Sequence, residues 1–446
     1  MTLHRAENGA NIAVIGGGYS GMAAAVRVTE LGGRAAVFEA GRVLGGRARR
    51  IEHHGRALDN GQHILSGAYC ELLRLMDLVG VSARSWERIP LNLTIAPDFV
   101  LRAPLLPAPL HMVWALLTAS GLGWADRWRA AQFMSSLKRR SFLVAPGLSV
   151  QKLLAQYGQS KRLIDYLWQP LTISALNTPI ANASAQVFVN VLRDALMGAR
   201  EASDLLLPKV DLSALFPEPA ARWLAEHGSE TKLGASVTTL VANDNNVSFD
   251  AAGRSWSFDA AIVAVAPHQR QALLPNGIGQ PPPTMRYEPI VTIYLGFESD
   301  QQLPLPMLGQ AIGTVQWFFD RRQLSASPEA AELLIAAVIS ASGPHEALPQ
   351  DALITVVLDE LRRHIPSLPA PKWQKVIHEK FATFSCTPGV ARLPTATSHP
   401  RIYLAGDDII NPDRLYPATL EGAVRNGIAA AEAAVNALHR HPPTSP

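Results

Sequence analysis

The hydrophobic pattern opens with a short apolar run, Asn11–Ile15, that ends in glycines. Tyr19–Leu31 follows, rich in Ala and Val, and reads as a helix; Arg34–Glu39 reads as a second strand. A strand, a glycine turn, a helix and a strand in that order predict the start of a doubly wound α/β (Rossmann-like) domain. Further on, Ser184–Arg200 predicts a helix. Phe188, Val191, Leu192, Ala195 and Leu196 fall on one face, and Ser184 is placed to cap its start. Strand patterns return at Ser236–Val241, Val247–Phe249 and Ala261–Val265, where Pro267 stops the last. Val291–Phe297 and Leu333–Ser340 predict a second sheet. Arg401–Ala405 predicts a buried strand running into Gly406 and Asp407, and Ala418–Ala434 a closing helix.

This order predicts a nucleotide-binding domain assembled from residues 8–90, 206–284 and 397–438. Residues 91–205 and 285–396 form an interleaved α+β substrate domain, with Pro281–Pro283 at a crossing and a disordered tail over 439–446.

Composition narrows the class. Of 446 residues 48% are hydrophobic, enough for a large core and against disorder. The net charge of +3 is too small an excess to suggest a nucleic-acid partner. Cys70 and Cys386 fit no metal spacing and read as two buried thiols of a reducing compartment. Met1–Ala10 lacks the apolar core of a signal peptide, and no stretch reaches the ~20 apolar residues of a membrane span. A cytoplasmic chain is expected, free or peripheral on the inner face of the cytoplasmic membrane. The exception to a plain soluble surface is Ala103–Gly123. It is apolar and proline-punctuated, with Arg127, Arg129 and Lys138–Arg140 close behind. Its Leu105–Leu122 part is either a peripheral membrane-contact element or a buried helix.

Candidate chemistry starts at Gly16, Gly18 and Gly21, a G-x-G-x-x-G between strand and helix. The first glycine allows a tight turn, the second close approach of a pyrophosphate, and the third close helix–strand packing. The helix N-terminus adds unpaired N–H groups. Glu39, ending the second strand, stands where an acid holds a ribose 2′-hydroxyl. Gly45-Gly46-Arg47, and far downstream Leu404-Ala405-Gly406-Asp407 followed by Glu421-Gly422-Ala423, shift the expectation from NAD to FAD. Asp407 can accept from ribityl or sugar hydroxyls. The next helix would aim its N-terminus at the flavin's pyrimidine edge, where negative charge builds on reduction.

Together these motifs resemble the flavin amine oxidase and phytoene desaturase superfamily. Leu58–Tyr69 narrows the resemblance to the hydroxysqualene dehydroxylase family, squalene-associated FAD-dependent desaturase-like proteins of bacterial hopanoid synthesis. Trp168–Leu171 with Ala175–Pro179, Ala185–Phe188, Ser203–Leu207 with Val210–Pro217, Tyr287–Ile290, Ile339–Pro344 and Ala382–Pro388 are similar too, and together they cover almost the whole chain. One departure stands out. The family usually has an aromatic after Gly-Asp; here it is Asp408, then Ile409-Ile410-Asn411-Pro412-Asp413.

The resemblance implies FAD contacts at Gly16, Gly18, Tyr19, Ser20, Gly21, Glu39, Gly46, Arg47, Gly61, Gln62, His63, Ile64, Val237, Gly406, Asp407, Thr419, Leu420 and Ala423. It implies removal of the hydroxyl of hydroxysqualene, giving squalene, with a hydride from reduced flavin. The substrate is then a C30 isoprenoid lipid, and an electron donor of unknown identity reduces the FAD. His63 is the first candidate acid for the departing hydroxyl, its ordinary pKa suiting proton donation near neutrality. The other reading gives His63 a structural part, its segment serving flavin through the backbone. Asp59 is a second catalytic candidate, a partner orienting His63, or a turn residue. Other activities on this fold are a polyprenoid desaturase, an amine oxidase and, more distantly, a non-catalytic lipid carrier.

Overall fold

A computed structural model describes residues 9–274, 278, 285–324, 332–411 and 414–440; Pro281–Pro283 and Pro412-Asp413 lie outside them. The chain folds as an α/β nucleotide-binding domain with a second, mostly antiparallel sheet interleaved through it. Five parallel strands make the first sheet: β1 (Asn11–Ile15), β2 (Arg34–Glu39), β3 (Glu230–Leu233), β4 (Ala260–Val263) and β5 (Ile402–Leu404), in spatial order β3-β2-β1-β4-β5. The switch in direction of winding at β1 leaves a crevice at the carboxyl ends of the strands, where ligands of such sheets bind.

These strands are apolar along their length because both faces are covered. Ile12, Val14, Ala35 and Val37 pack on one side against helix α1 (Tyr19–Glu30) and the closing helix, Leu420–Arg440. Ala13, Ile15, Ala36 and Phe38 pack on the other against a small antiparallel sheet. Phe38 meets Phe249, Trp256 and Phe258 there, each edge-on.

Seven strands form the second sheet. Their order is Trp373–Phe384, Tyr287–Phe297, Leu333–Ser340, Trp317–Asp320, Met307–Gln310, Asn92–Ala96 and Phe99–Arg102. One parallel pairing, Met307–Gln310 on Asn92–Ala96, joins the N-terminal hairpin of this sheet to its other strands. Leu353, Ile354, Val357 and Leu361 of the helix Gln350–Arg362 cover one face. The larger core around Phe133, Trp168 and Phe188 covers the other.

Several boundaries differ from the pattern reading. Ser236–Val241 is extended without a ladder: Val237 makes one bridge to Ala251, and pairing begins only at Val241–Ala242. Pro267 stops β4 and starts the helix Pro267–Leu273, where its missing N–H costs nothing. Ser184 caps its helix by accepting from Val187 N–H, but the helix ends at Leu196, short of Arg200. The closing helix runs through His439 to Arg440, and the rest of the tail, residues 441–446, lies outside the described residues. Cys386 is buried but Cys70 is exposed, and neither forms a disulfide.

The apolar stretch is not a buried helix. Helix α2 (Leu110–Thr118) turns His111 and Ala115 inward and leaves Leu110, Val113, Trp114 and Leu117 exposed, at i, i+3, i+4 and i+7. Leu105 and Leu106 before it, and Trp124 and Trp128 on helix α3 (Trp124–Arg139), are exposed as well. Among the described residues no helix is long and apolar enough to cross a membrane.

Candidate flavin site and its charged surround

The glycine turn after β1 is shaped by backbone, not by side chains. Gly16 has φ +112°, and a Cβ there would lie 2.6 Å from the Ala264 carbonyl oxygen. A Cβ on Gly21 would fall 1.9 Å from Gly16 O, so α1 can approach the turn only with glycine at that position. Gly18 differs. Its nearest neighbour is Gly46 Cα at 3.7 Å, which leaves an open face along the turn. Ser20 sits in the first turn of α1 with a buried hydroxyl that has no partner. Tyr19 contributes only backbone: its hydroxyl donates to Leu212 O at 2.8 Å, and its ring packs against Phe216.

At the end of β2, Glu39 Oε2 accepts from Gly17 N–H at 2.6 Å and Oε1 from Gly41 N–H at 2.7 Å. The carboxylate is therefore fixed beside the glycine turn. Ala235 N–H donates to Glu39 O, so the chain leading to Val237 passes the same strand end.

Arg47, a candidate FAD contact, pairs through Nη2 with Asp407 Oδ1 at 2.5 Å and donates from Nη1 to Ala382 O at 2.8 Å. Burial works against its charge, but Asp407 outweighs that and raises its pKa above the ordinary value. The pair ties the Gly45-Gly46 turn to the end of β5. Gly406, at φ +149°, makes the sharp exit that presents Asp407. Thr419 starts the closing helix: its Oγ1 accepts from Gly422 N–H at 3.1 Å and its carbonyl from Ala423 N–H at 3.0 Å. Leu420 N–H, at the first helical position, faces outward along the axis by helix geometry.

Asp408, the departure from the family pattern, is accounted for by a residue with no sequence motif around it. Arg270 Nη1 and Nη2 grip Asp408 Oδ2 and Oδ1 at 2.7 and 3.0 Å, and both side chains are at most 5% exposed. A carboxylate in place of an aromatic at a buried position demands a cation, and that demand was the available signal.

Gly61–Ile64 run beside Thr292 of the second sheet. Gly61 has φ +133°, and a Cβ on it would lie 3.6 Å from His63 Cε1 and 3.8 Å from Thr292 Oγ1. Gln62 Nε2 donates to His63 O, while Gln62 Oε1 and Thr292 Oγ1 are buried without partners. Ile64 packs on the large core. His63 Nδ1 lies 2.6 Å from Gly61 O. A carbonyl can only accept, so Nδ1 carries the hydrogen and the neutral ring presents a lone pair at Nε2. Burial lowers the His63 pKa, and the Arg47 charge lowers it further against the opposing Gly61 bond. In this arrangement the ring offers an acceptor at Nε2.

Asp59 is not the partner that orients His63. Its Oδ1 accepts from Leu212 N–H at 2.7 Å, and Tyr294 Oη donates to its backbone carbonyl at 3.1 Å. Burial pushes its carboxyl up to about 6, although Arg321 and the Leu212 bond pull the other way. Its place is at the start of the short helix Leu212–Leu215, bracing the segment that receives Tyr19. Trp168, Phe188, Phe297, Trp317 and Phe318 are all buried core side chains.

Two further residues escaped sequence reasoning. Gly427, in the middle of the closing helix, would place a Cβ 2.1 Å from Ser20 O, so it sets how closely that helix meets α1. A glycine inside a helical pattern was its only mark. Arg392 is a buried cation near Asp407 that no spacing flagged.

The profile of the flavin-containing amine oxidoreductases matches residues 19–435. A hydroxysqualene dehydroxylase of Rhodopseudomonas palustris is 30% identical over 439 residues, covering 94% of this chain and 97% of that protein. The hydroxysqualene dehydroxylase of Zymomonas mobilis is 26% identical, covering 95% and 98%. Among solved structures, an oxidoreductase from Methanosarcina mazei shares the fold at a TM-score of 0.73 with 15% identity, over 95% of this chain and all of that one.

Proposed function

The chain belongs to the flavin-containing amine oxidoreductases and, within them, to the hydroxysqualene dehydroxylase family; from that premise we propose that it binds FAD and converts hydroxysqualene to squalene. The observation that carries this reading is the likeness to the Rhodopseudomonas palustris protein along nearly its whole length. Physical support comes from the site. A glycine turn open at Gly18, a carboxylate at Glu39 and an unpartnered Ser20 hydroxyl suit a dinucleotide's pyrophosphate and ribose. Unpartnered Gln62 Oε1 and Thr292 Oγ1 suit a ring system with polar edges.

When bound and reduced, FAD would supply the hydride: the allylic C–O bond would give way to a C–H bond, and the departing hydroxide would take a proton from the reduced flavin or from solvent and leave as water. An external electron donor restores the reduced cofactor. Gly16, Gly18, Tyr19, Ser20 and Gly21 hold the pyrophosphate, with Tyr19 acting through its backbone. Glu39 and Val237 flank the adenosine half. Gly46, with Arg47 holding Asp407 in place, and Gly406-Asp407 meet the ribityl chain. Gly61–Ile64 run along the ring, and Thr419, Leu420 and Ala423 end at its pyrimidine edge. His63 Nε2 accepts from the substrate hydroxyl and so orients the C–O bond. Asp59 acts at a distance, by bracing Leu212.

The deciding assay is anaerobic: reduce the bound flavin, add hydroxysqualene, and follow flavin reoxidation with squalene by mass spectrometry. Failure of reoxidation, or turnover of carotenoid precursors alone, would reject the reading. The same assay tests His63. Its neutral, accepting form is populated above its lowered pKa, so kcat/KM is expected to fall only at pH values below the ordinary histidine range. His63→Gln is expected to abolish that limb. A wild-type profile that falls with rising pH instead would make His63 the acid.

We also propose that the outer face of α2 seats the enzyme peripherally on the cytoplasmic membrane's inner face, where a C30 lipid resides. Leu110, Val113, Trp114 and Leu117 form the apolar face, Trp124 and Trp128 extend it, and Lys138, Arg139 and Arg140 lie exposed at the far end of α3. Leu116 faces the core, so Trp114→Ser with Leu117→Asp is the informative variant. Co-sedimentation with vesicles containing anionic lipid is expected to fall at least about tenfold, since these two side chains bury ~1.4 kcal/mol or more of apolar contact. Unchanged co-sedimentation would remove the contact.

A further inference from the structure

Arg392 is buried, 8% exposed, in the loop between the long strand Trp373–Phe384 and β5. Its Nη1 donates to Tyr416 O at 2.6 Å, on the approach to the closing helix. Its guanidinium carbon lies 4.4 Å from the Phe384 ring centroid. Cys386 is alongside, its thiol pushed up to about 11 by burial against the pull of Arg392. Leu393 bridges Ile409, which draws the loop against the Asp407-Asp408 segment. Yet both carboxylates there are already engaged. Asp407 Oδ1 holds Arg47, and the two oxygens of Asp408 hold Arg270. Arg392 Nε and Nη2 have no nitrogen or oxygen partner, and the side chain hydrogen-bonded to the guanidinium is the thiol of Cys386, a weak acceptor.

A guanidinium does not give up its proton at any ordinary pH, so burial leaves it charged. A buried cation whose fork has no better partner than a thiol is costly unless something completes it. We propose that Arg392 donates Nε–H and Nη2–H to the N1–C2=O edge of the flavin's pyrimidine ring. This rests on the flavin occupying the glycine cradle with that edge toward the closing helix. Three observations favour that edge. Arg392 is anchored on Tyr416, four residues ahead of Leu420, where the closing helix begins. It is the guanidinium on this side with two donors in reserve, whereas Arg47 and Arg270 are held by carboxylates. Two adjacent acceptors match the two adjacent donors of a fork, and that edge gains negative charge on reduction. Arg392 thereby holds the flavin in a form that is easier to reduce, and stabilises the reduced state from which hydride departs.

The test uses the flavin-loaded protein and two variants, Arg392→Met and Arg392→Lys, with sulfite titration of the oxidised flavin and its midpoint potential as readouts. Arg392→Met is expected to weaken sulfite binding at least about tenfold and to lower the two-electron potential by the equivalent, about 30 mV. Arg392→Lys, which keeps the charge and loses the fork, is expected to recover most of both. A folded Arg392→Met that no longer retains flavin, with retention restored in Arg392→Lys, would also support the contact. A yellow Arg392→Met with wild-type sulfite affinity and potential would overturn it, whatever happens to turnover. Wild-type protein that carries no flavin would instead defeat the underlying cofactor reading.

Discussion

Gly21→Ala is expected to yield a protein without flavin and less stable by more than about 3 kcal/mol, beyond ordinary overpacking because the clash is with backbone. The added carbon would sit 1.9 Å from Gly16 O and 3.3 Å from Ala264 Cβ. Gly16 cannot retreat, since its own Cβ direction is closed by Ala264 O at 2.6 Å. The helix must therefore swing away from β1, and its N-terminal N–H groups go with it. Gly18→Ala makes the discriminating comparison. Its Cβ meets nothing closer than 3.7 Å within the protein, so the fold is expected to keep its thermal midpoint. The methyl would stand on the open face of the turn, where the pyrophosphate approaches, and flavin affinity is expected to fall at least about a hundredfold. Flavin-to-protein absorbance ratios after purification, with thermal unfolding of the apoproteins, separate the two. Full flavin content in both variants would mean that the dinucleotide lies elsewhere.

That cradle was legible in the chain because everything in it is local. A strand, a glycine turn and a helix are written within thirty residues, and Leu333–Ser340 was legible for the same reason, an unbroken apolar run between turn signals. What was not legible depends on residues far apart. Asp59 stands near His63 in sequence, but its hydrogen-bond partner is Leu212 N–H, 153 residues on. Nothing near Arg47 in sequence announces its ion pair with Asp407, 360 residues away. Ser236–Val241 alternates like a strand, yet only the Val237 bridge and Val241, at its end, find a pairing neighbour. In α2 the composition could not say which apolar residues face out; the helical phase, with His111 and Ala115 inward, decides it. Periodicity reports the shape of an element. The identity of its partner is set by packing, and a buried charge is the one sequence feature that requires such a partner to exist.

Arg270 and Asp408 put a magnitude on that requirement. Removing one member of a buried, hydrogen-bonded pair costs about 3–5 kcal/mol, while replacing both by apolar groups of similar volume is often neutral. Here the two single variants are expected to differ. Arg270→Leu leaves a carboxylate that can take up a proton, so its cost is smallest in acid and grows as the stranded acid ionises. Asp408→Leu leaves a guanidinium that cannot neutralise itself, close to Arg392 and Arg47, and its cost is expected at the top of the range and nearly flat with pH. The double variant Arg270→Leu with Asp408→Leu is expected to return to within about 2 kcal/mol of wild type. Unfolding midpoints of the four proteins between pH 5 and 8 complete the cycle. If the double variant is no better than either single, the pair is held by something other than mutual charge, and the aromatic-to-Asp408 exchange needs another explanation. If it recovers, the exchange is a matched substitution. An aromatic was traded for an ion pair that keeps the β5 exit rigid, and Asp407, one residue earlier, stays in place for the cofactor.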